Sequence, residues 1–283
     1  MALKTDTTLT RNRAPLLRAA SLAALPWLRH GFTTRAGGVS TIYGRPDDLN
    51  LGMTKEDDRD MVLENRRILV EAACARDHAE DRQPAWPLVS TRQIHSATIL
   101  TLNEPPPAPL EPADGLTTQV PSLLLAILTA DCVPVLLADV RHRAVGVFHA
   151  GWRGTVARIV EQGVGVMQNQ HGSDPADLLA AIGPSIGPCC YEVGEEVTQS
   201  FYQAFSYAPN LFADQHLDLW QANRRQLLAG GIPKANITTL AQCTACTREG
   251  DGSRRFFSHR AEHGVTGRMM SVAGIEPAVH PLP

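Results

Sequence analysis

The stretch from Leu123 to Phe148 constrains this chain more than any other. It holds three apolar runs, Leu123 to Ala130, Val133 to Ala138 and Ala144 to Phe148, each of strand length and bounded by polar residues. The most apolar part, Leu123 to Ala138, is interrupted by Asp131 and contains Pro134. It is too short and too punctuated to cross a membrane, which takes about 20 residues, so it reads as buried strands. A chain of 283 residues can bury such strands in a real core without disulfide staples. Apolar residues make up 43% and charged residues 19%, a mix that excludes disordered and fibrous classes. With 26 Lys and Arg against 29 Asp and Glu, there is no electrostatic footprint for nucleic acid.

Helical patterns flank these strands. One helix is expected from Thr54, as its cap, to about Ala75, with acids at positions 56–58 where the dipole suits them. A second is expected from Thr155 to Gln170 with Gly172 as its stop, and a third from Asp218, with Gln221 completing a capping box, to Gly230. The segment Leu88 to Leu102 and Leu178 to Ile182 read as further extended structure. No internal repeat or linker appears. Strands run together between helices, which predicts one α+β domain at residues 25–283, preceded by a polar tail at 1–24. Six irregularly spaced cysteines point to a reducing cytoplasm rather than a disulfide framework.

Several short motifs have bland readings. Gly183-Pro-Ser-Ile-Gly187 matches a nucleophile elbow, but Pro184, Pro188 and the Cys-Cys pair obstruct the helix that must follow, so a turn is expected. His78-Ala-Glu80 lacks the rest of a zinc deaminase signature and reads as solvated surface. Gly163-Val-Gly165 lies inside a helix and is no nucleotide fingerprint. Cys243-Thr-Ala-Cys246 is half of a zinc site whose other half would be Cys189 and Cys190, adjacent side chains that look too closely linked for a tetrahedron; loop thiols are expected instead.

A sharper group combines Gln93-Ile-His95, Asp131-Cys132 and His149-Ala-Gly-Trp-Arg-Gly154. Cys132 and His149 end adjacent apolar runs, and sequential strands usually neighbour each other. Two imidazoles and a thiolate make a catalytic zinc set with a fourth position open. Spacing alone leaves a second reading equally standing, that of core histidines beside a buried thiol.

The motifs taken together carry a resemblance. Thr33-Thr-Arg-Ala-Gly-Gly-Val-Ser40, Asn50-Leu-Gly52, Asn65-Arg66, Gln93-Ile-His95, Thr129-Ala-Asp-Cys132, His149 to Gly154, Ile182 to Gly194, Phe257-Ser-His-Arg260 and Thr266-Gly-Arg268 occur in order. The chain closely resembles the YfiH-like, laccase-domain family, variously called polyphenol oxidase, purine nucleoside phosphorylase and peptidoglycan editing factor. The resemblance runs from about residue 25 to the end. It implies a layered α/β/β/α sandwich with mixed sheets and one zinc ion, whose ligands map onto His95, Cys132 and His149. It maps the family's arginine onto Arg35, as a contact for substrate or phosphate. Where the family usually has Tyr, this chain has His259.

The resemblance implies zinc-assisted phosphorolysis of purine nucleosides, methylthioadenosine among them, with adenosine deamination beside it. The expected partners are therefore a purine nucleoside and phosphate, with neither nucleic acid nor a membrane, and the chain a monomer or homodimer. Arg35 is the first choice for a phosphate clamp, because a guanidinium pairs bidentately with phosphate. Arg153, Arg260 and Arg268 are further candidates, and Asn50, Gln93 and Asp131 could orient base, ribose or a ligand. Asp131 would point away from the metal in a regular strand. A multicopper oxidase uses about ten histidines, typically in H-x-H pairs. This chain has 10 histidines in all and no such pair, so copper oxidation is disfavoured although copper could enter the site. The runner-up is a hydrolase of peptidoglycan precursors, with Cys132 as nucleophile and His149 or His95 as base. A non-catalytic binding protein is a third reading.

Overall fold

The computed structural model describes residues 14–75, 86–106 and 109–278. Its strands are β1 (Leu16–Leu17), β2 (Leu28–Thr33), β3 (Ala36–Ser40), β4 (Leu88–Val89), β5 (Ile99–Leu102), β6 (Gly115–Thr118) and β7 (Leu124–Thr129). They continue as β8 (Val133–Asp139), β9 (Val145–Ala150), β10 (Leu178–Ile182), β11 (Phe212–Ala213), β12 (His216–Leu217), β13 (Ile237–Thr239) and β14 (Met269–Ile275). The α-helices are α1 (Ala20–Ala23), α2 (Arg59–Cys74), α3 (Trp152–Val156), α4 (Ile159–His171), α5 (Glu195–Ala204) and α6 (Leu219–Ala229).

The three apolar runs are β7, β8 and β9, and their lack of polar alternation has a direct cause. One sheet has the order β1-β2-β14-β7-β4, the other β13-β10-β8-β9-β6-β5. In β7, Leu124 and Ala126 join a core with Ile68 and Leu69 of α2, while Leu125 and Ile127 turn inward to the second sheet. In β8, Val133, Val135 and Leu137 pack with Val160 and Val164 of α4 and Leu227 of α6, while Leu136 and Ala138 turn inward to the first sheet. Side chains alternate across a strand, so a strand covered on both faces needs apolar residues at every position. Each such Leu, Ile or Phe contributes about 1.5–3 kcal/mol by leaving water. The result is the expected layering: helix, mixed sheet, mixed sheet, helices. Parallel pairs (β4 with β7, β5 with β6, β10 with β13) sit among antiparallel ones.

Some boundaries differ from expectation. Helix α2 begins after Asp58, whose carboxylate accepts from the Asp60 N–H at 2.7 Å. Thr54 is not the cap because its hydroxyl is engaged with that of Tyr43. The expected helix at 155–170 is two, broken where Arg158 takes a left-handed conformation (φ 61°). Gly172 stops α4 in the left-handed region as expected. Asp218 caps α6 through the Gln221 N–H, but the Gln221 side chain bonds the Asn210 carbonyl rather than closing the box. Part of the expected tail is in the fold, since Leu16 and Leu17 pair with Thr33 and Phe32. Gly163 serves packing: a Cβ there would lie 2.5 Å from the Phe148 ring. His78 and Glu80 lie outside the described residues. No helix among the described residues is long and apolar enough to cross a membrane.

Candidate metal centre and cleft

Antiparallel pairing of β8 with β9 sets Val133 opposite Ala150 and Pro134 opposite His149. Cys132, one residue before β8, therefore lies beside His149. His95 comes from the loop between β4 and β5. The donor atoms of His95, Cys132 and His149 all lie within 4.8 Å of one another. The two imidazole rings meet edge to face, with centroids 5.0 Å apart. Gly151 makes room: a Cβ there would stand 3.0 Å from the Cys132 sulfur and 3.4 Å from the His95 ring. His95 and Asp131 both hold positive φ, 58° and 96°. Non-glycine residues keep that conformation where surrounding contacts over-determine it.

At His95 those contacts radiate from Asp114, a fully buried residue just before β6. One of its oxygens accepts from His149 Nδ1 at 2.8 Å and from the His95 N–H at 3.0 Å. The other accepts from the Ser96 N–H at 2.7 Å, the Ser96 hydroxyl at 2.8 Å and the Ile94 N–H at 3.2 Å. A single carboxylate thus orients both histidines and leaves His149 Nε2 as the nitrogen free to bind a metal. Burial opposes ionisation of Asp114, but His149 and Ser96 outweigh it and hold the carboxyl well below the usual range. Burial likewise opposes the Cys132 thiolate, yet His149 and His95 bring the thiol down to about 6. His149 is pushed up to about 9: burial pulls the other way, but Cys132 and Asp114 prevail. Without a metal this is a thiolate–imidazolium pair; a metal would displace the His149 proton and take the thiolate and the neutral, carboxylate-anchored imidazole as ligands.

The three donors line a cleft of about 1120 Å³. Gln93, Asp131, Arg260 and Arg268 line it as well, so seven of the sequence candidates converge there. Arg66, Arg92 and Tyr191 line it too.

The sequence model of the family described as "Multi-copper polyphenol oxidoreductase laccase" matches residues 29–276. The chain belongs to this family. It is 36% identical over 264 residues to "Purine nucleoside phosphorylase YlmD" of Geobacillus stearothermophilus, covering 86% of this chain and 89% of that one. It is 37% identical over 194 residues to "Adenosine deaminase RL5" of an unknown prokaryotic organism, covering 64% and 74%. The crystal structure of the Bacillus licheniformis hypothetical protein YfiH superposes with a TM-score of 0.78 at 33% identity, covering 88% of this chain and 93% of that one.

Within this laccase-family fold, Arg35, Asn50 and Arg153 lie outside the cleft, while Gln93 and Asp131 reach it already bonded to protein partners. Arg35 is buried and does not line the cleft. It makes a bidentate pair with Asp48 at 2.8 and 2.9 Å, reaches Glu262 at 3.1 Å and stacks over Phe257. Its fork is filled by protein partners. Asn50 is fully buried and ties Gly52, Asp57 and the Arg268 N–H together. Arg153 stacks over Trp152, 4.2 Å from its ring, and is largely exposed outside the cleft. Gln93 reaches the cleft while pairing both ways with the Leu128 backbone at 2.7 and 2.8 Å. Asp131 turns from the metal group, accepting from Thr244 Oγ1 at 2.6 Å and the Arg260 N–H at 2.7 Å. Ser185 sits in a turn with its hydroxyl buried, accepting from the Trp220 indole at 2.6 Å.

Sequence reasoning missed Asp114 and the cleft arginine Arg92, and took Arg66 only as part of a motif. The one available signal for Asp114 was an acid directly before a short strand, in Ala113-Asp114-Gly115. The expectation that Cys189 and Cys190 cannot join Cys243 and Cys246 is also corrected. All four sulfurs lie within 4.8 Å of one another.

Proposed function

We propose that this chain is a zinc-dependent purine nucleoside phosphorylase of the cytoplasm, with adenosine deaminase and methylthioadenosine phosphorylase side activities. The observation that carries the reading is a three-donor group, anchored by a buried carboxylate, at the foot of a guanidinium-lined cleft. His95, Cys132 and His149 would hold the zinc, a fit that rests on the thiolate, the two imidazoles and the Asp114 anchor. Bound there with a fourth position open, zinc supplies Lewis-acid chemistry to a water or a purine substituent.

The chain's own groups account for the rest. Arg260 and Arg268 present fixed positive charge to a phosphate, in place of the sealed Arg35. Arg260 is held by Asp131 through its N–H and by the Glu192 carbonyl through its guanidinium at 2.9 Å. Arg268 is held by the Thr266 carbonyl at 2.7 Å. In phosphorolysis a phosphate oxygen bonds to C1′ while the C1′–N9 bond breaks, and the purine takes the electron pair and a proton. Holding phosphate and nucleoside together in the cleft supplies the orientation that this displacement needs. The relatives named purine nucleoside phosphorylase and adenosine deaminase support the same substrates.

Metal-analysed protein should release hypoxanthine from inosine only when phosphate is present, and ammonia from adenosine. Metal-loaded protein that releases neither would overturn the reading. One observation favours the runner-up: Cys132, His149 and Asp114 form a thiol–imidazole–carboxylate line, the constellation of a cysteine nucleophile. Chelation separates the two. It should abolish nucleoside cleavage, whereas a Cys132 hydrolase acting on peptidoglycan precursors would gain activity as its thiolate is freed.

A further inference from the structure

Away from the cleft donors, the turn at Gly187–Tyr191 and the loop at Cys243–Thr247 bring four cysteines together. The Sγ atoms of Cys189 and Cys246 are 3.7 Å apart, and no pair among Cys189, Cys190, Cys243 and Cys246 exceeds 4.8 Å. A disulfide needs about 2.05 Å. A tetrahedral zinc with sulfur ligands at about 2.3 Å puts its sulfurs about 3.8 Å apart. The observed spacing is that of a metal site.

The backbone explains how adjacent cysteines share one centre. The Gly187 carbonyl accepts from both the Cys190 and Tyr191 N–H groups at 3.0 Å, so the chain is coiled in a tight turn there. Successive side chains in a coiled turn diverge by about 100° rather than the near-opposition of a strand. Opposite them, Cys243-Thr-Ala-Cys246 closes its own turn, the Cys243 carbonyl accepting from the Thr247 N–H at 3.0 Å. The buried Cys243 sulfur accepts from the Gly187 N–H at 3.2 Å. The N–H groups of Ala245 and Cys246 also aim at it. Backbone N–H groups directed at a cysteine sulfur stabilise a thiolate, the form that ligates metal.

We propose that Cys189, Cys190, Cys243 and Cys246 form a second metal site, closed and structural, for a thiophilic divalent cation of the zinc class. Four protein sulfurs complete its coordination, so it holds chain and leaves no position for substrate. It would staple two loops that flank the cleft. The Ser185 N–H bonds the Gln242 carbonyl at 3.2 Å, and the Thr244 N–H bonds Ser185 at 3.0 Å. Ile186 and Thr244 both bond Asp131, and Ile186 and Tyr191 line the cleft wall.

The test is metal analysis of full-length protein purified under reducing conditions and supplied with zinc or cobalt(II). Wild type should bind two ions per chain. Cys132→Ala should keep one, and its cobalt form should show the intense thiolate-to-metal charge transfer of an all-sulfur tetrahedral site. Cys189→Ser, at an exposed position, should weaken that ion and leave the mixed nitrogen–sulfur spectrum of the cleft. The proposal is overturned if wild type binds a single ion that Cys132→Ala removes. It is equally overturned if denatured wild type shows two thiols fewer than its six cysteines, the mark of a disulfide.

Discussion

The cleft donors and the four-thiol cluster share a neighbour in Asp131, yet they are built from different materials. His95 and His149 are fixed by a side-chain carboxylate on Asp114, buried where β6 and β9 meet, and Cys132 lies beside them. The cluster is fixed by peptide N–H groups in two surface turns, with Cys189 and Cys246 exposed. Three donors leave a coordination position open for chemistry, whereas four close it. A carboxylate anchor also tunes the basicity of the imidazole it holds, while peptide donors chiefly fix position. If both proposals hold, one chain pairs a working site and a holding site, each with the surroundings it requires.

The comparison breaks most plainly at Cys132. Cys132→Ala should cost more than about a hundredfold in nucleoside cleavage, beyond the range set by an outer partner, and should leave the thiol cluster intact. Activity kept within about tenfold, the scale of a 1.4 kcal/mol loss, would show that the cleft group is not the working centre. Asp114→Asn removes the charge and keeps the shape. Cleft metal affinity, read by chelator competition, should fall about 10–100-fold; an equal loss at the thiol cluster would mean the two sites are not separately anchored. Gly151→Ala crowds the Cys132 sulfur. A shift of a few tenths of an ångström should lower kcat by up to about tenfold, less than the hundredfold that a 1 Å displacement can cost. An unchanged kcat would mean that the donors tolerate displacement.

The smallest effect on the cleft is expected from His30→Phe, a contrast to His149: a buried imidazole set by burial rather than by a carboxylate. His30 is fully buried in β2, and burial, with Arg18 nearby, lowers its pKa to about 4. The unfolded chain takes up this proton near pH 6.5, the folded chain only near pH 4. Stability is therefore full above pH 6.5 and declines as pH falls towards 4, by roughly 3 kcal/mol in all. Denaturant unfolding at pH 7 and pH 5 should show a smaller difference in His30→Phe than in wild type. An identical difference would remove His30 as the cause.

What the sequence disclosed follows the range of the forces involved. Strands β7, β8 and β9 were legible because burial on both faces writes itself into every residue of a run. His95, Cys132 and His149 were legible because their residue types are few and two of them end adjacent strands. Asp114 was not: it acts on His95 and His149 across turns of the chain, and a lone acid before a strand looks like any solvated one. Arg35 misled for the converse reason. A guanidinium reads as a clamp for an anion, but Asp48, 13 residues on, and Glu262, 227 residues on, decide that it faces inward. The thiol cluster was hidden by treating Cys189 and Cys190 as a strand pair rather than a coiled turn.

The hydrogen bond from Trp220 to Ser185 has a use beyond packing. The indole also presses on Gly187, where a Cβ would lie 2.6 Å from its ring, and packs in the small apolar group containing Cys190 and Cys243. Indole emission is sensitive to hydrogen bonding and to nearby sulfur. With the chain's other three tryptophans replaced, Trp220 would serve as an optical reporter of a metal entering the thiol cluster beside it.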